Sequence, residues 1–272
     1  MKNLYLPLLI VALLLSSCSP KIDAGSVTKS SNRLRVMSYN IHHCNPPTKE
    51  KAGTIDVNAI AKAISLQHPD LVALQEVDVN TKRSGNINQA VLLAQKLKMN
   101  FYFAKAIDHD GGDYGVAILS RFPLSAQKTY RLPKNNSARA EQRVLAIATV
   151  EIAKGKYIRF ASTHLDAERA EENRLMQVKE IVKLTASETL PLLIAGDLNA
   201  EPGSETIKLF DAAFTRSCSN CGFTIPVINP KTTIDHVAFK KGNPFSVIYH
   251  EVIKERYASD HLPILSVIDL KD

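Results

Sequence analysis

Leu193-Ile194-Ala195-Gly196-Asp197-Leu198-Asn199-Ala200 is the stretch whose reading decides the fold. The apolar run Pro191-Leu192-Leu193-Ile194 before Gly196 marks a short buried strand. Gly196 lets the backbone leave that strand or approach a neighbour closely. Residues two apart in extended chain share a face, so Asp197 and Asn199 point the same way off the strand end. Polar groups at the rim of a core need a partner, such as a metal or a substrate. A turn is the plainer alternative, because Asp and Asn both favour turns. What shifts the balance is that apolar strands ending in a polar side chain recur along the chain.

Residues 33–40 alternate polar and apolar and end in Asn40. Residues 70–77 form a second buried strand, with Glu76 projecting at its end. The hairpin predicted for 143–152 and 156–162 turns at Lys154-Gly155 and runs out into Thr163-His164-Leu165-Asp166. Residues 232–239 make a further strand in which Asp235 sits between apolar neighbours. A buried Asp asks for a partner, and Ser259-Asp260-His261 supplies one, since an Asp–His pair fixes imidazole tautomer and orientation. Strands are also expected at 101–107 and 114–121. Between the strands lie helical patterns. Asp56 reads as the N-cap of a helix on which Val57, Ile60, Ala61 and Ile64 recur at helical spacing. Residues 87–98 and 204–212 are helical, and 167–187 reads as one long helix. Glu168, Glu171, Glu172, Arg174 and Lys179 are its expected solvated face.

Two loops carry candidate substrate contacts. Arg83, in the polar loop 78–89, has the geometry to clamp a phosphate, with plain surface exposure as the equal alternative. His42-His43 reads as a substrate-side loop rather than a ligand pair, because adjacent residues of extended chain face opposite sides. His43 is therefore taken as a substrate contact. The glycine-rich segment 108–114 lacks phosphate-loop spacing and precedes a strand, not a helix, which excludes that nucleotide-binding device.

The chain has 272 residues, of which 45% are hydrophobic, enough for a sizeable core. Alternating strand and helix patterns indicate α/β or α+β organisation. No linker or repeat divides 33–272, so these residues are read as one domain. At the N-terminus, Lys2 precedes the apolar residues 4–15, a run too short to span a bilayer comfortably. It reads as a signal peptide over 1–17. Leu15-Ser16-Ser17-Cys18 resembles a bacterial lipobox, with Cys18 lipidated and 18–32 a small, polar tether. An ordinary secretory signal or an uncleaved anchor is the alternative. The expected location is the extracytoplasmic side of the cell envelope, anchored in a membrane.

The net charge is +7, or +6 with 33 basic residues once Lys2 is removed, against 27 acidic. That suits an anionic substrate. The charges are dispersed and Trp is absent, so nucleic acid is not singled out as a partner. Cys218-Ser219-Asn220-Cys221 is expected to close a small disulfide loop in an oxidising compartment. A zinc site would need a second ligand pair, and none stands at suitable spacing. Cys44 is left as a free thiol.

Seven segments, in order, resemble the motifs of the endonuclease/exonuclease/phosphatase superfamily, which includes deoxyribonuclease I, exonuclease III, inositol polyphosphate 5-phosphatases and bacterial sphingomyelinases. They are Met37-Ser38-Tyr39-Asn40, Leu74-Gln75-Glu76-Val77, Ala117-Ile118-Leu119-Ser120-Arg121, Thr163-His164-Leu165, Gly196-Asp197-Leu198-Asn199, Ile234-Asp235-His236 and Ser259-Asp260-His261-Leu262-Pro263. The resemblance implies a four-layer α/β (α+β) sandwich, two face-to-face mixed sheets flanked by helices. It implies hydrolysis of a phosphoester with Mg²⁺, or with Mn²⁺ or Ca²⁺ in its place. Glu76 would hold the metal, with Asn40 beside it and Asp260 assisting. Asp197 would orient or deprotonate the attacking water, and Asn199 would hydrogen-bond the phosphoryl oxygens. His261, oriented by Asp235, would stabilise or protonate the phosphate, and His164 would lie near the phosphate or leaving group. Which group is the base differs between accounts of the family and stays open.

Two departures stand out. Many relatives carry Asn where this chain has Val116, and the arms that DNA-binding members insert into grooves are not recognisable. The leading expectation is a monomeric envelope phosphoesterase acting on small or lipid-headgroup phosphoesters. An extracytoplasmic nuclease is the alternative, and a non-catalytic binding lipoprotein on the same fold is the alternative of another class.

Overall fold

Strands whose side chains are apolar on both faces must be covered on both faces, and that requirement organises the molecule. The structure is a computed structural model that describes residues 32–271. The segments expected to be a signal peptide, a lipidated Cys18 and a tether, up to residue 31, lie outside the described residues.

In chain order the elements are β1 (Arg33–Asn40), α1 (Val57–Ser65), β2 (Leu71–Val79), α2 (Gln89–Leu97), β3 (Asn100–His109), β4 (Gly112–Ser120), β5 (Leu124–Arg131), β6 (Val144–Ala153), β7 (Lys156–His164), α3 (Glu172–Ala186), β8 (Leu192–Asp197), α4 (Glu205–Ala213), β9 (Phe214–Arg216), β10 (Asp235–Lys240), β11 (Phe245–Val252) and β12 (Ile264–Leu270). They build two six-stranded sheets, ordered β11-β12-β1-β2-β4-β3 and β5-β6-β7-β8-β10-β9. Both are mixed: β1 with β2 and β7 with β8 are parallel, and their other neighbours antiparallel.

Three apolar clusters define four layers. Leu34, Val36, Leu71 and Ile118 of the first sheet meet Val144, Phe160, Leu193 and Val237 of the second in a central core. Met37, Tyr39, Val72 and Leu74, on the opposite face of the first sheet, pack against Ile60, Ile64 and Leu93 of α1 and α2. Leu145, Ala161, Leu192 and Ile194 pack outward against Val178 and Ile181 of α3 and Ile207 and Phe210 of α4. Within β8, Leu193 and Ala195 face inward while Leu192 and Ile194 face outward, so alternation buries every residue of the strand. The expected four-layer α/β sandwich is the fold found.

Local signals acted as expected at several ends. The Asp56 side chain accepts from the Ala59 amide and caps α1. The hairpin of β6 and β7 turns at Lys154-Gly155. Cys218 and Cys221 form a disulfide, and Cys44 is free and buried.

Five expectations are corrected. Glu76 does not end β2, which continues to Val79. Instead Glu76 adopts a left-handed φ of 56° at a bulge where β2 carries one extra residue against β4, between Leu74 and Val77. Bulges re-aim a side chain, and this one turns Glu76 toward the sheet rim. The glycine-rich segment 108–114, read as a loop, is mostly paired strand, and the β3–β4 hairpin turns at Asp110-Gly111. The strand predicted from 232 begins at Asp235, so Asp235 is its first residue and not its middle. The long helix starts at Glu172. Arg174, expected in solvent, is buried, and its guanidinium donates to the carbonyls of Asp166, Glu168 and Arg169. Those bonds hold 166–169 as a loop and forbid the earlier helix turn.

Gly196 illustrates how tightly β7 and β8 approach. A Cβ there would lie 2.1 Å from the Thr163 carbonyl oxygen. Gly196→Ala is expected to destabilise the protein by about 1–3 kcal/mol, the usual cost of forcing an extra group into packed structure, read as a lowered midpoint in denaturant unfolding.

Candidate active site

Sheet register gathers the polar strand ends. On the second sheet, Asp197 pairs with His164 of β7 on one side and with Asp235 of β10 on the other. On the first sheet, Asn40 closes β1 beside β2 and its bulged Glu76. Because the sheets lie face to face, the two sets meet. The Asn40 amide donates to Glu76 Oε1 at 3.0 Å and to Asp197 Oδ2 at 3.1 Å. Asn40 Oδ1 accepts from the His42 amide.

Asp197 is the hub. It is 1% exposed. Its Oδ1 accepts from the Asn199 amide at 2.8 Å. Its Oδ2 lies 3.5 Å from His164 Nε2 and 3.7 Å from His261 Nε2. His261 Nδ1 is 2.9 Å from Asp235 Oδ2, completing the pair expected from sequence. The other Asp235 oxygen, Oδ1, is buried with no hydrogen-bond partner.

Environment separates the two imidazoles. Burial would lower the His261 pKa, but Asp235, Asp197 and Asp260 outweigh it and lift it to about 10. His261 is therefore an imidazolium at neutral pH. Burial, then Arg143 and His261, hold His164 well below its ordinary value, so it is neutral. Its contact with Asp197 is thus not an ion pair. Arg143 Nη1 lies 3.0 Å from His164 Nδ1. A guanidinium can only donate, so Nδ1 accepts and the ring proton sits on Nε2, facing Asp197. The Asn199 side-chain nitrogen donates to the Leu165 carbonyl at 3.0 Å and lies 3.1 Å from that Nε2. Burial, and then Asp235, raise the Asp197 carboxyl above its ordinary range, against the opposing pull of His261.

Most of the residues picked from sequence therefore converge: Asn40, Glu76, His164, Asp197, Asn199, Asp235 and His261. Asp260 sits at the edge of this group, its side chain 37% exposed and 4.0 Å from His42 Nδ1. Arg83 is held by Asp78 through two hydrogen bonds of 2.7 and 2.8 Å. His43 lies beside Glu76, and burial, Arg83 and His42 lower its pKa to about 4. Arg143 escaped the sequence reading. Its only signal was its place at the start of a strand whose partner ends in His164. Beside Arg143 opens a cavity of about 450 Å³, lined by Arg139, Glu141, Asp166, Glu168 and Arg169.

Asp197, Asp235 and His261 also form a buried group in which each side chain offers an atom within 4.8 Å of the others. Two carboxylates share one imidazolium there, which leaves excess negative charge in a buried place. Such charge needs a counter-ion. Together with Glu76 and the unpaired Asp235 oxygen, the donors are those a divalent cation takes.

Comparison with known proteins gives the family. The profile of the Endonuclease/Exonuclease/phosphatase family matches residues 37–261. YbhP of Escherichia coli K12 is 25% identical over 251 residues, 87% of this chain and 96% of its own length. A family protein of Bacteroides thetaiotaomicron superposes with a TM-score of 0.74 at 16% identity, over 88% of this chain and 98% of that one. The mannosyl-6-phosphatase Bt3783 of the same species gives 0.68 at 17% identity, over 86% and 99%. With the matched region enclosing every residue of the cluster from Asn40 to His261, this chain belongs to the Endonuclease/Exonuclease/phosphatase family.

Proposed function

We propose that this protein is a divalent-metal-dependent phosphoesterase that hydrolyses small or headgroup phosphoesters at the cell envelope. The observation that carries the reading is Asp197, buried between a neutral His164 and a charged His261 and tied to Glu76 through Asn40. Phosphoryl transfer asks for in-line positioning and charge stabilisation more than for covalent chemistry, and this arrangement offers both.

Glu76 would hold Mg²⁺, or Mn²⁺ or Ca²⁺ in its place, with Asn40 beside it orienting the carboxylate through its amide and Asp260 assisting. When bound, the cation supplies neutralisation of the phosphoryl charge. The chain's own groups do the rest. Asp197, with basicity raised by burial and by Asp235, orients the attacking water and accepts its proton. Asp235 holds the His261 imidazolium, whose Nε2–H faces the reaction centre and donates to a phosphoryl oxygen. The Asn199 side-chain amide, held at this rim by the Leu165 carbonyl, turns to donate to a second oxygen. His164 keeps its Nε2 proton because Arg143 occupies Nδ1.

The lining of the cavity beside Arg143 supports a polar leaving group. Arginines alternate there with carboxylates, and Ala167 is the one apolar residue. Such walls favour hydroxyl-rich alcohols or headgroups over acyl chains or stacked bases. The Bacteroides neighbour named as a mannosyl-6-phosphatase is consistent with that preference. The envelope location rests on Leu15-Ser16-Ser17-Cys18 alone, read as a lipid anchor for a monomeric enzyme.

Asp197→Ala and His261→Ala are each expected to lower kcat/KM for bis-p-nitrophenyl phosphate by at least about 100-fold, the lower end of what positioned acid–base groups contribute. Chelation should abolish turnover of the parent enzyme, and unchanged turnover in both variants would remove the mechanism. Arg143→Gln is expected to move the His164 titration, read as an NMR ring-proton shift profile, to higher pH. Arg143 helps hold His164 deprotonated, so its loss raises the His164 pKa and protonation begins earlier as pH falls. A profile that does not move would separate Arg143 from the His164 charge.

A further inference from the structure

Beside the Asp197 hub lies a second cluster of ligand-type side chains, of which the mechanism uses Glu76 alone. His42, His43 and Glu76 each offer an atom within 4.8 Å of the others. We propose that His42, His43 and Glu76 form a nitrogen-rich site for a zinc-class divalent cation, which shares the Glu76 carboxylate with the hard-cation position but takes its other ligands from the two imidazoles.

The backbone is the first argument. Three consecutive non-glycine residues, His42, His43 and Cys44, hold left-handed φ values of 44°, 40° and 59°. Each such residue costs about 1–2 kcal/mol in an L-chain. Strain of that kind persists only where the surroundings impose it, and it collects at functional sites. Here the surroundings do impose it. The Cys44 amide donates to Ile41 O, the Asn45 amide to His42 O, the Asp56 amide to Cys44 O, and Gln89 Nε2 to His43 O.

The turn reverses the expectation for adjacent histidines. Extended chain would send the rings to opposite sides, whereas here they meet edge to face with centroids 4.6 Å apart. The bulge at Glu76 turns a carboxylate to the same place. Two imidazoles and one carboxylate are the protein ligands of an open zinc site, whose fourth position takes water or substrate. Hard cations prefer oxygen throughout.

The ring nitrogens supply the second argument. His42 Nδ1 is 2.9 Å from the Asn45 carbonyl oxygen. It must donate there, which leaves the lone pair on Nε2. That is the arrangement by which protein groups orient a metal-ligating histidine. His43 Nδ1 is buried with no hydrogen-bond partner. An unmet buried nitrogen is costly, and a cation would satisfy it. Binding at about 2.1 Å from each ligand requires the side chains to close on the ion, a matter of side-chain rotation at a partly exposed rim.

The site shares Glu76 with the proposed reaction, so its test reads binding and not turnover. Chelator-treated protein would be titrated with Zn²⁺ by calorimetry, and with Co²⁺ followed by its visible absorption. The parent protein is expected to bind Zn²⁺ in a process that His42→Gln/His43→Gln weakens by at least about 100-fold, the upper end of what loss of a mere orienting group costs. Mg²⁺ affinity should stay within about threefold in that variant. Thermal melts in chelator establish that the variant is folded. Absence of Zn²⁺ binding by the parent would overturn the site. So would Zn²⁺ affinity that survives His42→Gln/His43→Gln but is lost in His261→Gln. Neither result bears on hydrolysis with Mg²⁺, which Asp197→Ala tests separately.

Discussion

The forked hydrogen bond of Asn40 is the interaction on which the rest of the site depends. One amide nitrogen serves Glu76 on its own sheet and Asp197 on the opposite sheet. Neither sheet alone carries a complete set of groups. Glu76 and Asn40 belong to one layer, and His164, Asp197 and Asp235 to the other. The central apolar core sets the spacing between the layers, and Asn40 converts that spacing into a polar contact at the rim. A side chain 1% exposed, with no net charge and two hydrogens to give, bridges two carboxylates without adding to their buried charge.

The two buried imidazoles show how one pocket gives the same residue type opposite properties. His261 faces three carboxylates and holds its proton. His164 is buried and faces a guanidinium and another imidazolium, so it is neutral. Pairs of titratable groups pushed apart in this way mark an acid and a neutral partner within one site.

Much of this was legible in the sequence, because the polar residues of the site sit where apolar strand signals stop. Asn40, His164 and Asp197 end strands, and period-two patterning places them together once the sheets form. Glu76 was found for the wrong reason. Its importance comes from a bulge in mid-strand, and the extra residue depends on pairing with β4, which composition does not encode. Arg143 was missed because an arginine at a strand start resembles any surface arginine until register places it against His164. Arg174 was misread because helical periodicity does not reveal that a loop folds back onto the helix and claims its guanidinium. The His42-His43 pair was read under the rule for extended chain, and a left-handed turn of three L-residues is not a conformation that sequence patterning anticipates.

His261 differs from its partners in having no strand beneath it. Its segment is splinted by two backbone hydrogen bonds, from the Val227 amide to Asp260 O and from the Leu262 amide to Thr224 O. The stretch that provides them also carries the Cys218–Cys221 disulfide and the exposed Phe223 and Ile228. The outer surface of that stretch is therefore free to diversify, provided the carbonyl of Thr224 and the amide of Val227 stay where they are.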